Sequence, residues 1–385
     1  MGDGTPRFVL SIDGGGFRGL ACLQILRHLT EDITGDDETP PCQIFDLICG
    51  TSTGGLIAIL LGRFGLTCKE AIKVYKELGA TMFGGEADWG RIWRDIIQGD
   101  RLSSTMFEKK LEEITERYTG RKDALMKPGK RDPDTIVHES TKTFVTVVST
   151  IGSAGVDAYR IRSYPRPRGG VDPSPDDHGW TIFEGVRGTC ATPLYFPPLQ
   201  IQSGRTSYTF QDAGSSGFNN PAKIAINEAE KLFAYDATIT LVSLGAGLRN
   251  LLKDGQFALG AREEVTEKHV ESYTQQILSI TEKLVTKIHN APEVAKRVAH
   301  QLLEVATDTE ISHLHVSAQF ESQDQQQNYH RFNPPQGLGD IELADCSKEV
   351  EITETTRAWL NSADGKHDIS LAVDKMKLHY ELQQT

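Results

Sequence analysis

Residues 8–19 read FVLSIDGGGFRG, and residues 44–62 read IFDLICGTSTGGLIAILLG. Each stretch opens with a short apolar run that contains β-branched residues, which predicts a buried strand. Each strand leads into a Gly-rich turn and then into apolar residues at helical spacing. A strand, a tight turn and a helix, repeated twice at the start of the chain, predict an α/β fold with a parallel sheet and helices on its faces.

The same alternation continues through the middle of the chain. Apolar runs predict further strands at 144–151, 158–164, 206–211 and 237–244. Amphipathic segments predict helices at 68–80, 89–97, 104–118, 180–190 and 221–233. We therefore expect a three-layer α/β/α domain with a mostly parallel central sheet over residues 5–250.

The pattern changes after about residue 250. Helical periodicity dominates at 261–307, 352–360 and 369–382, with short strands predicted at 314–320 and 329–332. We expect residues 251–385 to form a mainly helical C-terminal extension that packs on the α/β domain.

The charge balance excludes one class of partner. The chain has 385 residues, with 41 Lys and Arg against 53 Asp and Glu, and a formal net charge of −12. Nucleic-acid binding needs clustered cations to neutralise phosphates, so we expect no nucleic-acid partner. The sequence leaves the oligomeric state open.

Apolar runs and cysteines bear on location. The longest apolar run, Leu56 to Leu61, is far shorter than the roughly 20 residues that span a bilayer, so we expect no transmembrane segment. The polar start of the chain lacks the pattern of a secretory signal. The 6 cysteines show neither CxxC spacing nor zinc-ligand spacing. These features predict a cytoplasmic protein with reduced thiols and no metal.

Gly50-Thr-Ser-Thr-Gly54 matches the pattern G-x-S-x-G between a predicted strand and a predicted helix. In that setting the motif forms a sharp elbow that presents the serine as a nucleophile. Glycines on both sides permit the tight corner because they carry no Cβ atom. Ser52 is therefore the candidate nucleophile.

The first Gly-rich turn has two interpretations. Its glycines can aim the backbone N–H groups of Gly15 and Gly16 at an oxyanion, with Arg18 adding positive charge nearby. The same turn also matches the dinucleotide fingerprint G-x-G-x-x-G through Gly14, Gly16 and Gly19. That alternative requires an acidic residue at the end of the second strand, where Cys49 and the serine turn stand instead.

A nucleophilic serine needs a base, and the sequence offers two choices. Asp212 follows the predicted strand 206–211, and active sites of open α/β sheets form at the carboxyl ends of strands. A conventional triad would instead use a late histidine. The candidates for that role are His313, His315, His330, His367 and His379. His313 and His315 share one face of the predicted strand at 314–320, but no third metal ligand accompanies them.

Three motifs in this order resemble the patatin-like phospholipases, relatives of plant patatins and cytosolic phospholipase A. They are Asp13-Gly-Gly-Gly-Phe-Arg-Gly19, Gly50-Thr-Ser-Thr-Gly54 and Asp212-Ala-Gly214. Residues 187–196 and 243–247 also resemble segments of that family, and the resemblance covers about residues 8–250. It implies a patatin-like fold and a lipid acyl hydrolase of the phospholipase A or lysophospholipase type.

Carried over by position, the resemblance implies specific roles. Ser52 would be the nucleophile, and Asp212 its partner in a Ser–Asp dyad. The oxyanion and substrate-binding residues would be Gly14, Gly15, Gly16, Arg18 and Thr53. The resemblance implies an acyl-lipid substrate, transient contact with a membrane or micelle surface, and no cofactor. Ala213 stands where the family usually has Gly, and a positive φ there would strain the backbone.

Overall fold

The computed structural model describes residues 6–83, 102–128, 141–149, 158–167, 178–192, 195–233, 237–248, 309–335 and 337–384. The helices predicted at 89–97 and 261–307 lie outside these ranges. The strands are β1 (Arg7–Ile12), β2 (Leu47–Thr51), β3 (Lys142–Ser149), β4 (Ala158–Arg162), β5 (Leu199–Ser203), β6 (Thr206–Asp212), β7 (Ile239–Leu244) and β8 (Tyr329–Phe332). The helices are α1 (Gly19–Thr34), α2 (Thr53–Ala58), α3 (Cys68–Phe83), α4 (Leu102–Thr119), α5 (Ile182–Thr189), α6 (Ala222–Leu232), α7 (Glu310–Ser322), α8 (Glu349–Asn361) and α9 (Ala363–Gln384).

The strands of the described residues form one mixed sheet in the order β5-β6-β3-β2-β1-β7-β8, with β4 also on β3. The neighbours from β3 through β2, β1 and β7 to β8 are parallel. The β4 and β6 strands run antiparallel to β3, and β5 runs antiparallel to β6. The predicted mostly parallel central sheet is confirmed.

The register of β3 brings two distant strand ends together. Residues Lys142 to Thr146 pair with β2, whose last residue Thr51 lies opposite Thr146. The next residue, Val147, pairs with Asp212 at the end of β6. Because β4 covers β3 from Phe144 to Val148, β2 and β6 must share the opposite edge. The turn after Thr51 therefore lies beside Asp212.

The sheet has an apolar layer on each face, as a three-layer fold requires. In β1, Phe8, Leu10 and Ile12 belong to one buried cluster and Val9 belongs to the other. This alternation follows from the two-residue period of a strand. The first cluster continues into α1, α3, α8 and α9, and the second into α6 and α7.

Two parts of the chain differ from the sequence-based expectation. The strand predicted at 314–320 is wrong, because these residues lie in the helix α7. This helix buries Val316 and Phe320, which are four residues apart and so share one helical face. The edge strand β5 was not predicted, and it carries the polar residues Gln200 and Gln202.

Candidate active site

Ser52 occupies a strained corner between β2 and α2. Its φ is 56° and its ψ is −131°, values that side-chain-bearing residues rarely adopt. The corner is held on both sides: the Ser52 N–H donates to Thr189 Oγ1 at 2.9 Å, and the Ser52 carbonyl accepts from the Gly55 N–H at 2.9 Å. Ser52 therefore stands at a sharp turn between a strand and a helix, which is the backbone geometry that an elbow requires.

Close packing explains the glycines of both turns. A Cβ on Gly54 would lie 2.4 Å from the carbonyl oxygens of Ile12 and Asp13, at the end of β1. A Cβ on Gly14 would lie 2.9 Å from Ser52 Cβ. These distances are shorter than atoms tolerate, so only glycine allows the two turns to meet.

The first Gly-rich turn is braced from several directions. Gly16 has a φ of +55°, in the left-handed region that favours glycine. Thr53 Oγ1 accepts from the Gly15 N–H at 3.3 Å and donates to the Gly16 carbonyl at 3.2 Å. The Tyr75 hydroxyl donates to the same carbonyl at 2.5 Å. Thr53 thus ties this turn to the serine elbow.

Arg18 contacts the C-terminal part of the chain. Its guanidinium donates to the carbonyls of Gly15 at 3.2 Å and Gly339 at 2.7 Å. Arg18 is not among the residues that line the cavity beside Ser52. A direct role for Arg18 in oxyanion binding stays a prediction, while the observed contacts tie the turn to the segment around residue 339.

Asp212 is buried, and it lines the same cavity as Ser52. Its Oδ2 accepts from Thr192 Oγ1 at 2.5 Å, and its Oδ1 accepts from the Gly214 N–H at 2.8 Å. Burial raises the pKa of Asp212, although the hydrogen bonds from Thr192 and Gly214 oppose the shift. A buried carboxylate with a raised pKa is a better base than an exposed one.

Ala213 does not strain this arrangement. Among the described residues, the only non-glycine residues with positive φ are Ser52 and Asp324. Ala213 instead begins a short 3-10 turn and is fully buried. The expected strain at Ala213 is therefore wrong, because the conformation at this position is open to any L-residue.

Of the site residues that the resemblance implies, all except Arg18 line one cavity, whose lining divides by chemistry into a polar wall and an apolar wall. A polar wall consists of Gly14, Gly15, Gly16, Ser52, Thr53, Thr192, Asp212 and Asn219. A largely apolar wall consists of Met82, Cys190, Tyr195, Phe196 and Leu343. The site thus sets a hydroxyl, a carboxylate and a Gly-rich turn against a surface that suits hydrocarbon.

The late histidines do not line this cavity. His313 lies in α7, and its Nδ1 is 3.0 Å from the hydroxyl of Tyr329. His330 lies in β8, and burial lowers its pKa to about 4. Across the described ranges, no cluster of three or more His, Cys, Asp or Glu side chains is arranged to hold a metal ion.

Several residues at the site were not predicted from the sequence. Arg331 of β8 lies 2.7 Å from the carboxylate of Asp13, immediately before the first Gly-rich turn. Leu343 accepts a hydrogen bond at 2.7 Å from the N–H of Phe17 in that turn. Thr189 and Thr192 do carry a sequence signal, because both lie in the segment 187–196 that resembles the family.

An α/β protein with a serine on a strand-to-helix elbow and a carboxylate beside it has the architecture of the serine hydrolases. A family model described as "Patatin-like phospholipase" matches residues 10–226. The chain belongs to the patatin-like phospholipase family.

Similar proteins include phospholipases from plants and animals. "Phospholipase A I" of Arabidopsis thaliana is 28% identical over 62% of this chain and 20% of its own length. "Calcium-independent phospholipase A2-gamma" of Homo sapiens is 29% identical over 85% of this chain and 34% of its own length. The chain thus spans about a third or less of these two relatives. "Probable inactive patatin-like protein 9" of Arabidopsis thaliana is 28% identical over 57% of this chain and 53% of its own length.

Nine α-helices lie within the described residues. None of them is both long enough and apolar enough to cross a membrane.

Proposed function

We propose that this protein is a lipid acyl hydrolase in which Ser52 is the nucleophile and Asp212 is its base. The observation that carries the proposal is that both residues line the same cavity, with Asp212 buried at the end of β6 beside the turn that carries Ser52. Family membership supports the reaction class. Because one relative is named probably inactive, the proposal depends on the presence of both side chains rather than on the family alone.

The proposed reaction has two halves. Asp212 takes the proton of the Ser52 hydroxyl as the oxygen attacks the ester carbonyl, and the same proton then goes to the leaving alcohol. The resulting acyl-enzyme reacts with water, which gives a proton to Asp212. That proton returns to Ser52 as the fatty acid departs. No metal or redox step enters this balance.

The Gly-rich turn would stabilise the oxyanion of each half. Gly15 and Gly16 line the cavity beside Ser52, and the bonds of Thr53 and Tyr75 hold their turn. The Gly15 N–H donates to Thr53 Oγ1 at 3.3 Å, so it would share its hydrogen with an oxyanion. Donors fixed before the reaction need no reorganisation when charge develops, and removing one typically costs about 10²- to 10³-fold in rate. Gly14 contributes space rather than a donor, because a side chain there would strike Ser52.

The apolar wall fits a fatty-acyl chain. Met82, Phe196 and Leu343 offer hydrocarbon and aromatic surface in the same cavity as Asp212. A bound acyl chain would also exclude water, which keeps the carboxylate basic. An ester of this kind resides in membranes or micelles, so we propose transient contact with such a surface.

We also propose that the protein works in the cytoplasm. All 6 cysteines are free thiols, and 5 of them are buried. This state suits a reducing compartment.

Two substitutions test the proposal. Ser52→Ala and Asp212→Asn should each remove hydrolysis of a fatty-acyl ester from mixed micelles, by about 10³-fold or more. Ser347→Ala and Asp36→Asn, at exposed positions away from the cavity, are matched controls that should retain activity. Thermal unfolding of each variant shows whether the fold is intact.

Other outcomes would replace the proposal. Retained hydrolysis in either site variant would contradict the dyad. If one of the late histidine variants lost as much activity as Ser52→Ala, a conventional triad would be favoured instead. If the wild-type protein hydrolysed no ester and a dinucleotide raised its unfolding temperature, the first Gly-rich turn would be a nucleotide site.

A further inference from the structure

Each side-chain oxygen of Asp212 accepts a hydrogen bond from the protein. The Gly214 N–H, two residues further along the same turn, donates to Oδ1 at 2.8 Å. The hydroxyl of Thr192 donates to Oδ2 at 2.5 Å from a different part of the chain. Hydrogen bonds to an ionised carboxylate are shorter and stronger than neutral ones, and the distance from Thr192 has that character.

The segment that carries Thr192 is docked on Asp212 through its backbone as well. The Asp212 N–H donates to the carbonyl of Ala191 at 3.1 Å. The Thr192 carbonyl in turn accepts from the N–H groups of Tyr195 at 3.1 Å and Phe196 at 3.0 Å. Thr192 therefore approaches the carboxylate from a segment that is fixed at both its N-terminal and C-terminal sides.

We propose that Thr192 is a positioning residue for the base: its hydroxyl fixes the rotation of the Asp212 carboxylate so that one oxygen faces Ser52. This inference rests on the proposed Ser–Asp function. A carboxylate can rotate about its Cβ–Cγ bond, and the dyad has no third catalytic group to orient it. The donors at Oδ1 and Oδ2 lie on separate oxygens and so together define the plane of the group.

Thr192 also limits how basic Asp212 becomes. Burial raises the pKa of Asp212, and the hydrogen bond from Thr192 is the largest of the effects that lower it. Without that donor, the carboxylate would hold its proton to a higher pH. Because only the ionised carboxylate accepts the proton of Ser52, loss of the Thr192 hydroxyl should move the acid limb of the activity profile upward.

Other charged and titratable groups lie near the site. Cys190 and Tyr195 line the same cavity, and burial raises the pKa of the Cys190 thiol, which keeps it neutral. Arg187 is paired with Glu108 at 2.9 Å. Asp13, paired with Arg331, has its pKa raised by burial to about 6. Its titration will appear equally in the wild type and in every Thr192 variant.

The test compares kcat/KM with pH for four proteins: the wild type, Thr192→Val, Thr192→Ser and a control. Thr192→Val keeps the shape of the side chain and removes the hydroxyl, whereas Thr192→Ser keeps the hydroxyl. Thr115→Val is the control, because Thr115 is a buried threonine that does not line the cavity and its hydroxyl donates to the Leu111 carbonyl in α4. A soluble short-chain acyl ester serves as substrate.

We expect Thr192→Val to move the acid limb to higher pH and to lower kcat by roughly 10- to 100-fold, with KM little changed. Thr192→Ser should return both properties toward the wild type, and Thr115→Val should leave the profile unchanged. A Thr192→Val profile that superimposes on the wild type would overturn the proposal, as would failure of Thr192→Ser to rescue it.

Two safeguards keep the test decisive. If Thr192→Val does not fold, as judged by thermal unfolding, Thr192→Ala takes its place against the same Thr192→Ser control. If the wild-type activity itself does not depend on Ser52, the proposed function fails. If it does depend on Ser52 while the Thr192 profiles coincide, only the positioning role fails.

Discussion

The two Gly-rich turns and the C-terminal part of the chain contribute to the same site in different ways. The turns depend on residues that are close together in the sequence. Gly54 packs against the end of β1, and Gly14 packs against Ser52, so neither position has room for a side chain. The C-terminal part contributes through Arg331 and Leu343, which reach the first turn from far along the chain. Local motifs therefore supply the proposed reacting groups, whereas distant residues hold the first turn in place.

The contact between Asp13 and Arg331 is a buried ion pair that links β8 to the first Gly-rich turn. Both side chains are almost completely buried, and Arg331 also lies 3.2 Å from Glu310 in α7. Burial raises the pKa of Asp13 to about 6, even though Arg331 lowers it. Removing the guanidinium would leave a buried charge without a partner, which is costly.

The largest expected effect comes from breaking that ion pair. Arg331→Met should lower the free energy of unfolding by about 3 to 5 kcal/mol at neutral pH. Because Arg331 lowers the pKa of Asp13 in the wild type, its removal should raise that pKa above about 6, so the deficit should be largest at high pH and should shrink as the pH falls toward about 6 and Asp13 takes up a proton in the variant. Chemical denaturation at two pH values measures both effects.

The double variant Asp13→Asn with Arg331→Met is the control for this prediction. It removes both charges, so it should be more stable at neutral pH than Arg331→Met alone. If the single variant were as stable as the wild type, the ion pair would not hold the turn.

The next effect comes from the contact between the two turns. Gly54→Ala would place a Cβ 2.4 Å from two backbone carbonyl oxygens. We expect a loss of about 1 to 3 kcal/mol in stability and about 10²-fold in kcat, because the elbow must shift. Gly179→Ala is the control, since a Cβ there meets only Leu125 at 4.0 Å. Equal effects of the two substitutions would contradict the packing explanation.

A smaller effect is expected at the apolar wall. Leu343→Ala should alter the preference between long and short acyl chains by about tenfold, because it removes hydrocarbon from the cavity. Leu338→Ala is the control, as Leu338 is buried in the same segment but does not line the cavity. Rates on a series of acyl esters measure the preference, and an unchanged profile for Leu343→Ala would exclude Leu343 from substrate selection.

The smallest effect concerns a surface network away from the site. Glu77 binds Arg117 at 3.0 Å and Lys110 at 2.9 Å, and these contacts lower its pKa to about 2. The stability that ionised Glu77 contributes is therefore fully present above pH 4.5, the ordinary pKa of a glutamate, and it is lost as the pH falls toward 2. Because the network is partly exposed, Glu77→Gln should cost less than about 1 kcal/mol at neutral pH. A larger loss in chemical denaturation would contradict this ranking.

The candidate reacting groups could be proposed from the sequence because their signals are local. Ser52 lies in a short motif between a strand and a helix, and Asp212 ends a strand. That strand runs antiparallel to β3, so Asp212 meets the end of β2 along their shared edge of β3 and not through a common strand direction. The strands and helices around these two residues were predicted from the hydrophobic periodicity of the sequence. The site geometry agrees with that prediction, while the catalytic roles remain proposals.

The remaining contacts depend on register and packing, which no local pattern contains. Arg331 meets Asp13 only because β8 pairs with β7, and β7 with β1. The segment 314–320 alternates like a strand, yet its buried residues Val316 and Phe320 are set by packing on α6 and β8. The division of the chain at residue 250 also stays a prediction.

Covalent labelling tests the central claim most directly. A fluorophosphonate probe should modify the wild-type protein at Ser52, as identified by mass spectrometry of its peptides. The rate of labelling of Asp212→Asn should be lower by about 10²-fold or more, because the serine then lacks its base. Labelling at another residue, or an equal rate in Asp212→Asn, would contradict a serine activated by this carboxylate.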